Sequence, residues 1–246
     1  MRQFGLIGKT LQHSFSPAYF QKKFEDLNLS DCSYEKFELA SLDALPLLFK
    51  KESLVGCNVT IPYKEEILPY LDELDPIAKE VGAVNCVHIK QGKTIGYNTD
   101  IYGFSQSIKP FLDVNHERAL ILGTGGAAKA VAHALKKIGV QTFFVSSSSA
   151  KKKDGVFLYG DLNKQVFDAF KLIVNTTPLG TWPQTDELPP LPLEHLTANH
   201  FVYDLIYNPA ETQLMKKAKE QGATVMNGLS MLQLQAEKSW EIWAEK

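Results

Sequence analysis

An α/β protein of two domains is predicted, on the strength of two features. Short β-branched or aromatic runs alternate with helical patterns along most of the chain, as the strands of largely parallel sheets do when helices connect them. Near the middle an apolar strand starts afresh and runs directly into Gly123-Thr124-Gly125-Gly126-Ala127-Ala128 and a helix. Strand, glycine turn and helix in that order open a dinucleotide-binding fold of Rossmann type. With 246 residues, 44% of them hydrophobic, the chain has ample material for buried cores.

In chain order, Phe4 to Gly8, Tyr34 to Leu39 and Leu54 to Thr60 read as strands. Ser16-Pro17 opens a helix with a capping residue followed by proline, and Asp75-Pro76 repeats the device. Val84 to Lys90 and Thr94 to Asn98, separated by Gln91-Gly92-Lys93, form a hairpin that finishes the first sheet. Asp100 then caps a helix from about Ile101 to Phe111, where the chain is expected to pass into its second domain, before the polar break Asp113-Val114-Asn115-His116. The second half starts with the strand Arg118 to Leu122, the glycine turn, and a helix ending near Gly139. Further strands are Thr142 to Val145, Leu172 to Asn175, Val202 to Ile206 and Ala223 to Met226. Leu229 to Trp243 closes the chain as a helix with Trp240 and Trp243 on a largely apolar face.

A formal net charge of −2 gives no electrostatic reason to expect nucleic acid or an anionic membrane as partner, which leaves a small molecule as the expected ligand. Cys32, Cys57 and Cys86 are odd in number and lack paired metal spacing, so they read as reduced thiols of a cytoplasmic protein that binds no metal. The start of the chain shows no basic region followed by a long apolar stretch, and no window has the apolar run of a membrane span, so an unprocessed soluble protein is expected. His13 has no partner at metal spacing and is read as bracing its loop.

The chemistry concentrates in a few segments. Gly56-Cys57-Asn58-Val59-Thr60-Ile61-Pro62-Tyr63-Lys64 brings an amide, a hydroxyl and an amine into one short turn after an apolar strand, parts suited to holding and protonating a polyol. Gly82-Ala83-Val84-Asn85 and Gly96-Tyr97-Asn98-Thr99-Asp100 add a second amide and a carboxylate, and His13-Ser14-Phe15-Ser16-Pro17 adds hydroxyls. Gly123, Gly125 and Gly126 let backbone approach a pyrophosphate over the free N–H groups of a helix start; a merely structural turn is the alternative. Asn175-Thr176-Thr177-Pro178-Leu179-Gly180 follows a later strand, where parallel sheets expose their ligand-binding loops. About 20 residues after the glycine turn, NAD-binding chains carry an acidic residue for the ribose. Here stand Ser146-Ser147-Ser148-Ser149-Ala150-Lys151, which offer hydroxyls and an ammonium and no carboxylate to repel a 2′-phosphate. NADP is the expected cofactor, and a solvated polar loop is the other reading.

In order and approximate spacing, these segments resemble the shikimate dehydrogenases, within the shikimate/quinate dehydrogenase family, over essentially the whole length. The resemblance implies reversible NADPH-dependent reduction of 3-dehydroshikimate to shikimate, a step of the chorismate pathway to aromatic amino acids. It implies an N-terminal α/β substrate domain at residues 1–101, completed by the C-terminal helix 229–246, and an NADP-binding Rossmann domain at 102–228. Residue by residue, Lys64 and Asp100 become the catalytic pair, while Ser14, Ser16, Asn58, Thr60, Asn85, Tyr207 and Gln235 become substrate binders. Gly123, Thr124, Gly125, Gly126, Ala127, Ser146, Ser148, Lys151, Asn175, Thr176, Thr177, Leu205, Gly228 and Met231 are expected around the cofactor.

Competing roles stand beside several of these. Asp100 can serve as a helix cap, Lys64 as a solvated lysine at a helix start, Ser16 as the cap before Pro17, and Tyr207 as a packed strand-end tyrosine. The family's usual Asn-Arg-Thr clamp is missing, and the chain between Ser149 and Lys171 is shorter than the family's norm, with Lys151 to Lys153 as possible compensation. Two other functions fit the same features: a quinate/shikimate dehydrogenase of a paralogous type, and a catalytically weak NADP-binding sensor. A monomer or a homodimer suits all three.

Overall fold

The computed structural model describes residues 1–12, 14–152 and 154–244, so the expectations for His13 and Lys153 fall outside the described residues. The chain divides into two compact units, one of Met1–Thr99 with Ala236–Lys246 and the other of Asp100–Gln235.

The first unit carries β1 (Arg2–Gly8), α1 (Phe15–Asp26), β2 (Cys32–Glu38), α2 (Leu45–Leu48), β3 (Leu54–Val59), β4 (Glu73–Leu74), α3 (Pro76–Val81), β5 (Cys86–Lys90) and β6 (Lys93–Tyr97). Its sheet runs β2-β1-β3-β5-β6-β4. The β2, β1 and β3 strands are parallel, while β5 and β6 form the antiparallel hairpin that the sequence predicts. Gln91 and Gly92 close that hairpin with φ of 54° and 77°, the left-handed pair a two-residue turn needs to match strand twist. Alternation along β5 sends Cys86 into one apolar cluster with Phe4, Phe20 and Trp243, and Val87 into another with Ile7, Val59 and Ile67. Asp75 caps α3 as expected, accepting from the Ile77 N–H at 2.9 Å, with Pro76 in the first position. Ser16 is not a cap: α1 begins at Phe15, Ser14 takes the capping position, and Ser16 lies buried inside the first turn. Nor does Lys64 start a helix, since residues 61–67 form turns.

The second unit carries α4 (Asp100–Ile108), β7 (Arg118–Leu122), α5 (Gly126–Lys137), β8 (Gln141–Ser146), β9 (Val156–Leu158), α6 (Lys164–Ala169), β10 (Leu172–Asn175), β11 (Phe201–Asp204), α7 (Gln213–Glu220) and β12 (Thr224–Asn227). All its strands are parallel, in the order β12-β11-β10-β7-β8-β9. The order reverses between β7 and β10, the switch point at which open α/β sheets bind ligands beyond their strand C-termini. Both faces are covered, with Ala119 and Ile121 of β7 in one core and Leu120 and Leu122 in the other. Among the described residues between β8 and β9 there is one 3-10 turn, Ser149–Lys151, where such folds usually place a helix. A last helix, α8 (Leu229–Ala244), begins in the second unit, with Met231 in its core, and ends in the first, where Trp243 is buried.

Candidate active site

In the first unit the predicted polar residues gather where β3 and β6 end and β5 begins. Asn58, Thr60 and Lys64 follow one another out of β3, and the Val84 N–H bonds the Lys64 carbonyl at 2.7 Å, so main chain holds that turn beside Asn85. Lys64 is half-buried, whereas Asn58 and Asn85 are buried. Buried amides must be satisfied, and these are. Asn58 Oδ1 accepts from the Tyr34 hydroxyl at 2.8 Å, and Nδ2 donates to Ser239 Oγ at 2.9 Å and to the Asn85 carbonyl at 3.3 Å. Asn85 Oδ1 accepts from the Thr99 N–H at 2.6 Å, and its Nδ2 donates to Thr99 Oγ1 at 3.0 Å. Ser16 bonds the Tyr34 hydroxyl, while Ser14 is half-buried. Tyr34 and Ser239 were not legible as site residues, because the bonds Asn58 makes to them span 24 and 181 positions.

The second unit contains the other predicted residues, including Asp100, which is buried as the first residue of α4. Gly123 follows β7 with φ of 105°, and a Cβ there would lie 2.8 Å from Thr176 Oγ1, so both conformation and crowding require glycine. A side chain at Gly125 would meet only open space, and no side chain caps α5 behind it. Backbone N–H groups at that helix start are therefore oriented for an anion. Lys151 Nζ donates to Thr124 Oγ1 at 2.7 Å, which brings the loop after β8 over the glycine turn. Beside it lies a pocket of about 490 Å³ lined by Thr124, Lys129, Phe144, Lys151, Lys152 and Val156. Lys152 is paired with Asp161 at 3.1 Å, which reduces what it can offer an anion. Ser146 Oγ accepts from the Ser148 N–H at 3.1 Å and so shapes the same loop. Glycines, an uncapped helix start, hydroxyls and lysines, with no carboxylate among the pocket's lining, fit a phosphorylated dinucleotide.

The loops after β10 and β11 are tied together by a residue that the sequence reading passed over. Asp204 is fully buried at the end of β11 and accepts from Asn175 Nδ2 at 2.9 Å, the Ile206 N–H at 3.1 Å and Thr212 Oγ1 at 2.7 Å. Burial pushes its carboxyl up to about 6 despite those donors. Asn175 Oδ1 in turn accepts from Thr177 N at 3.0 Å and Thr177 Oγ1 at 2.7 Å, so Asp204 orients the Asn175-Thr176-Thr177 loop. Leu205 donates its N–H to the Asn175 carbonyl at 2.9 Å, and Gly228 sits where a Cβ would fall 2.0 Å from the Leu205 carbonyl oxygen. Met231 and Gln235 are buried on α8, with Gln235 Nε2 donating to the Leu232 carbonyl at 3.0 Å, and Tyr207 is half-buried just beyond β11. A carboxylate inside the apolar run Val202 to Ile206 was the available signal for Asp204. Among the described residues, no group of three or more His, Cys, Asp or Glu could hold a metal ion, and no helix is long and apolar enough to cross a membrane.

Residues 6–87 match the family model for the shikimate dehydrogenase substrate binding domain. The chain is 36% identical to the shikimate dehydrogenase (NADP(+)) of Methanosphaera stadtmanae, in an alignment spanning 98% of this chain and 91% of the relative. It is 39% identical to that of Carboxydothermus hydrogenoformans, spanning 97% and 90%. Its structure resembles the Thermus thermophilus shikimate 5-dehydrogenase solved in complex with NADP(H) and shikimate, at a TM-score of 0.87 and 32% identity, covering 99% of this chain and 94% of that one. It also resembles a quinate dehydrogenase from Corynebacterium glutamicum in complex with NAD, at 0.86 and 28%, covering 99% and 93%. With identities of this order sustained over nearly the full length of both chains, the protein belongs to the shikimate dehydrogenase family.

Proposed function

We propose that this chain is an NADP-dependent shikimate dehydrogenase that reversibly reduces 3-dehydroshikimate to shikimate in aromatic amino acid biosynthesis. The reading is carried by one observation: in a chain of this family, Lys151 is anchored on Thr124 beside an uncapped helix start and a pocket with no carboxylate in its lining. An ammonium carries three donors and Thr124 takes one, so Lys151 can also meet a 2′-phosphate. Ser146 and Ser148 shape that loop, while Gly123, Thr124, Gly125, Gly126 and Ala127 receive the pyrophosphate, and Asn175, Thr176, Thr177, Leu205, Gly228 and Met231 surround the nicotinamide half.

When bound, NADPH supplies the hydride. What the chain must then provide is control of the oxygen left behind, which gains negative charge as the ketone is reduced. The Lys64 ammonium stabilises that charge and hands the oxygen its proton. Asp100 accepts a hydrogen bond from a neighbouring ring hydroxyl and fixes the ring against the lysine. Ser14, Ser16, Asn58, Thr60, Asn85, Tyr207 and Gln235 bind the remaining hydroxyls and the carboxylate through groups that accept or donate without adding charge. We assign residues 1–101 with 229–246 to the substrate and 102–228 to the cofactor. The free thiols Cys32, Cys57 and Cys86 suit a cytoplasmic enzyme, as monomer or homodimer.

The likeness to the Corynebacterium quinate dehydrogenase gives a second reading, in which quinate is the better substrate. Purified protein incubated with NADP or NAD, and with shikimate or quinate, separates the two by the rise of reduced-nicotinamide absorbance. Turnover of shikimate with NADP above the other three combinations is the expected result. Faster turnover of quinate would move the chain to the second reading, and binding of NADP without turnover would make it a sensor.

A further inference from the structure

The two amides assigned to the substrate are joined by buried hydroxyls that neither motif contains. Asn58 Nδ2 donates to Ser239 Oγ at 2.9 Å, Ser239 Oγ lies 3.2 Å from Thr99 Oγ1, and Thr99 Oγ1 accepts from Asn85 Nδ2 at 3.0 Å. Ser239 is 0% exposed, Thr99 1%, Asn85 2% and Asn58 4%, so water does not compete for these bonds. We infer that Ser239, on α8, is a positioning residue for the polyol-binding amides, with Tyr34 of β2 as its counterpart at the far end of the same network.

The links to the two amides have a defined direction. Burial pushes the Tyr34 phenol well above its ordinary range, which keeps it a proton donor, and Ser16 bonds its oxygen. Tyr34 therefore donates to Asn58, which fixes that amide with Oδ1 toward Tyr34 and Nδ2 toward Ser239. Both N–H groups of Asn58 have acceptors inside the protein, in Ser239 and the Asn85 carbonyl. At the other end the Thr99 N–H, at 2.6 Å from Asn85 Oδ1, fixes the second amide. Orientation of both side chains is thus set by β2, by residue 99 and by α8 before any ligand arrives. A polyol meeting amides already aligned does not have to order them, which is where such a network adds affinity. Removing the Ser239 hydroxyl leaves one Asn58 N–H without its 2.9 Å acceptor and releases the hydroxyl of Thr99 from its neighbour.

The inference rests on the proposed function, and its test is arranged to separate the two. Shikimate and NADP are titrated separately by calorimetry into the wild-type protein, Ser239→Ala and Tyr34→Phe, and steady-state kinetics and Tm are recorded for each. In both variants the Kd and KM for shikimate are expected to rise about tenfold, the usual effect of one buried polar group losing its partner. NADP affinity and kcat should stay near wild type, Tm should fall by only a few degrees, and Ser239→Cys, which keeps a hydrogen-bonding atom of similar size, should recover part of the loss. If both variants bind shikimate as tightly as a wild-type protein that binds it, the positioning role is wrong. Equal weakening of shikimate and NADP together with a large fall in Tm would make Ser239 a packing residue and also overturn the inference. A wild-type protein that binds no shikimate at all would instead overturn the proposed function.

Discussion

Lys64 is proposed to protonate the reacting oxygen and Asp100 to fix the ring beside it, and each assignment is open to a single substitution. Lys64 is half-buried, and the bond between its carbonyl and Val84 is a main-chain bond that any side chain preserves. Lys64→Ala should lower kcat roughly 10²- to 10⁴-fold, the ordinary worth of general acid–base assistance, with little change in Tm. Asp100→Asn should act similarly, because an amide keeps most of the shape and hydrogen-bonding reach of the carboxylate at the start of α4 but not its charge. Combining the two should cost far less than the product of the single losses if they act as one unit. Rate measurements on the single and double variants, beside thermal melts, check this, and a wild-type rate in either single variant would remove that residue from the mechanism. Both residues were legible because each belongs to a short segment in which neighbouring residues carry related chemistry. Ser239, Tyr34 and Asp204 were not, since what they do depends on partners that only the fold brings near, such as Asn175, 29 positions from Asp204.

Elements show the same division between local and non-local information. The β7 and β10 strands were read to the residue, because apolar runs lie between clear polar or glycine boundaries. The β9 strand is not legible in the sequence, since the three residues Val156–Leu158 are too short for any periodicity and exist as a strand only by pairing with β8. The charged α7 is short, and its buried stripe is confined to Leu214, Met215 and Ala218. The connection from β8 to β9 is where we propose that cofactor choice is decided, and within it Lys151 is a cation anchored on the glycine turn. Lys151→Ala with Ser148→Ala should weaken NADP by about 1.5 to 3 kcal/mol, the value of a charge-assisted hydrogen bond, while barely changing NAD. Added salt should weaken NADP more than NAD in the wild type, because an exposed ammonium–phosphate attraction is screened, and this difference should shrink in the variant. Fluorescence titration with both cofactors at low and high salt gives all four numbers. A double variant that keeps its full preference for NADP would show that another group reads the phosphate.

For the whole molecule, stability against pH has contributions of opposite sign. Arg2 holds the exposed Asp31 carboxyl down to about 2, so its contribution is present above the ordinary carboxylate range and is lost as pH falls. Asp204 behaves in the reverse sense, because burial raises it to about 6. A group whose folded pKa lies above its unfolded value stabilises the fold fully below the unfolded value, and that stabilisation is lost as pH rises through the folded one. The window is therefore from just under 4 to somewhat above 6, and the stability lost across it is at most about 3 kcal/mol at 1.36 kcal/mol per pKa unit. Asp204→Asn removes the titration while leaving a side chain of nearly the same size between Asn175, Ile206 and Thr212. Any fixed loss from the amide's poorer fit to its donors is the same at every pH, so it cancels when slopes are compared. Between pH 4.5 and 7 the melting temperature of the variant should rise relative to wild type by several degrees, and the difference should level off above that range. Melts of both proteins in matched buffers measure the difference directly, and parallel curves across the window would mean that Asp204 is ionised in the fold throughout, held by its three donors more strongly than burial opposes it.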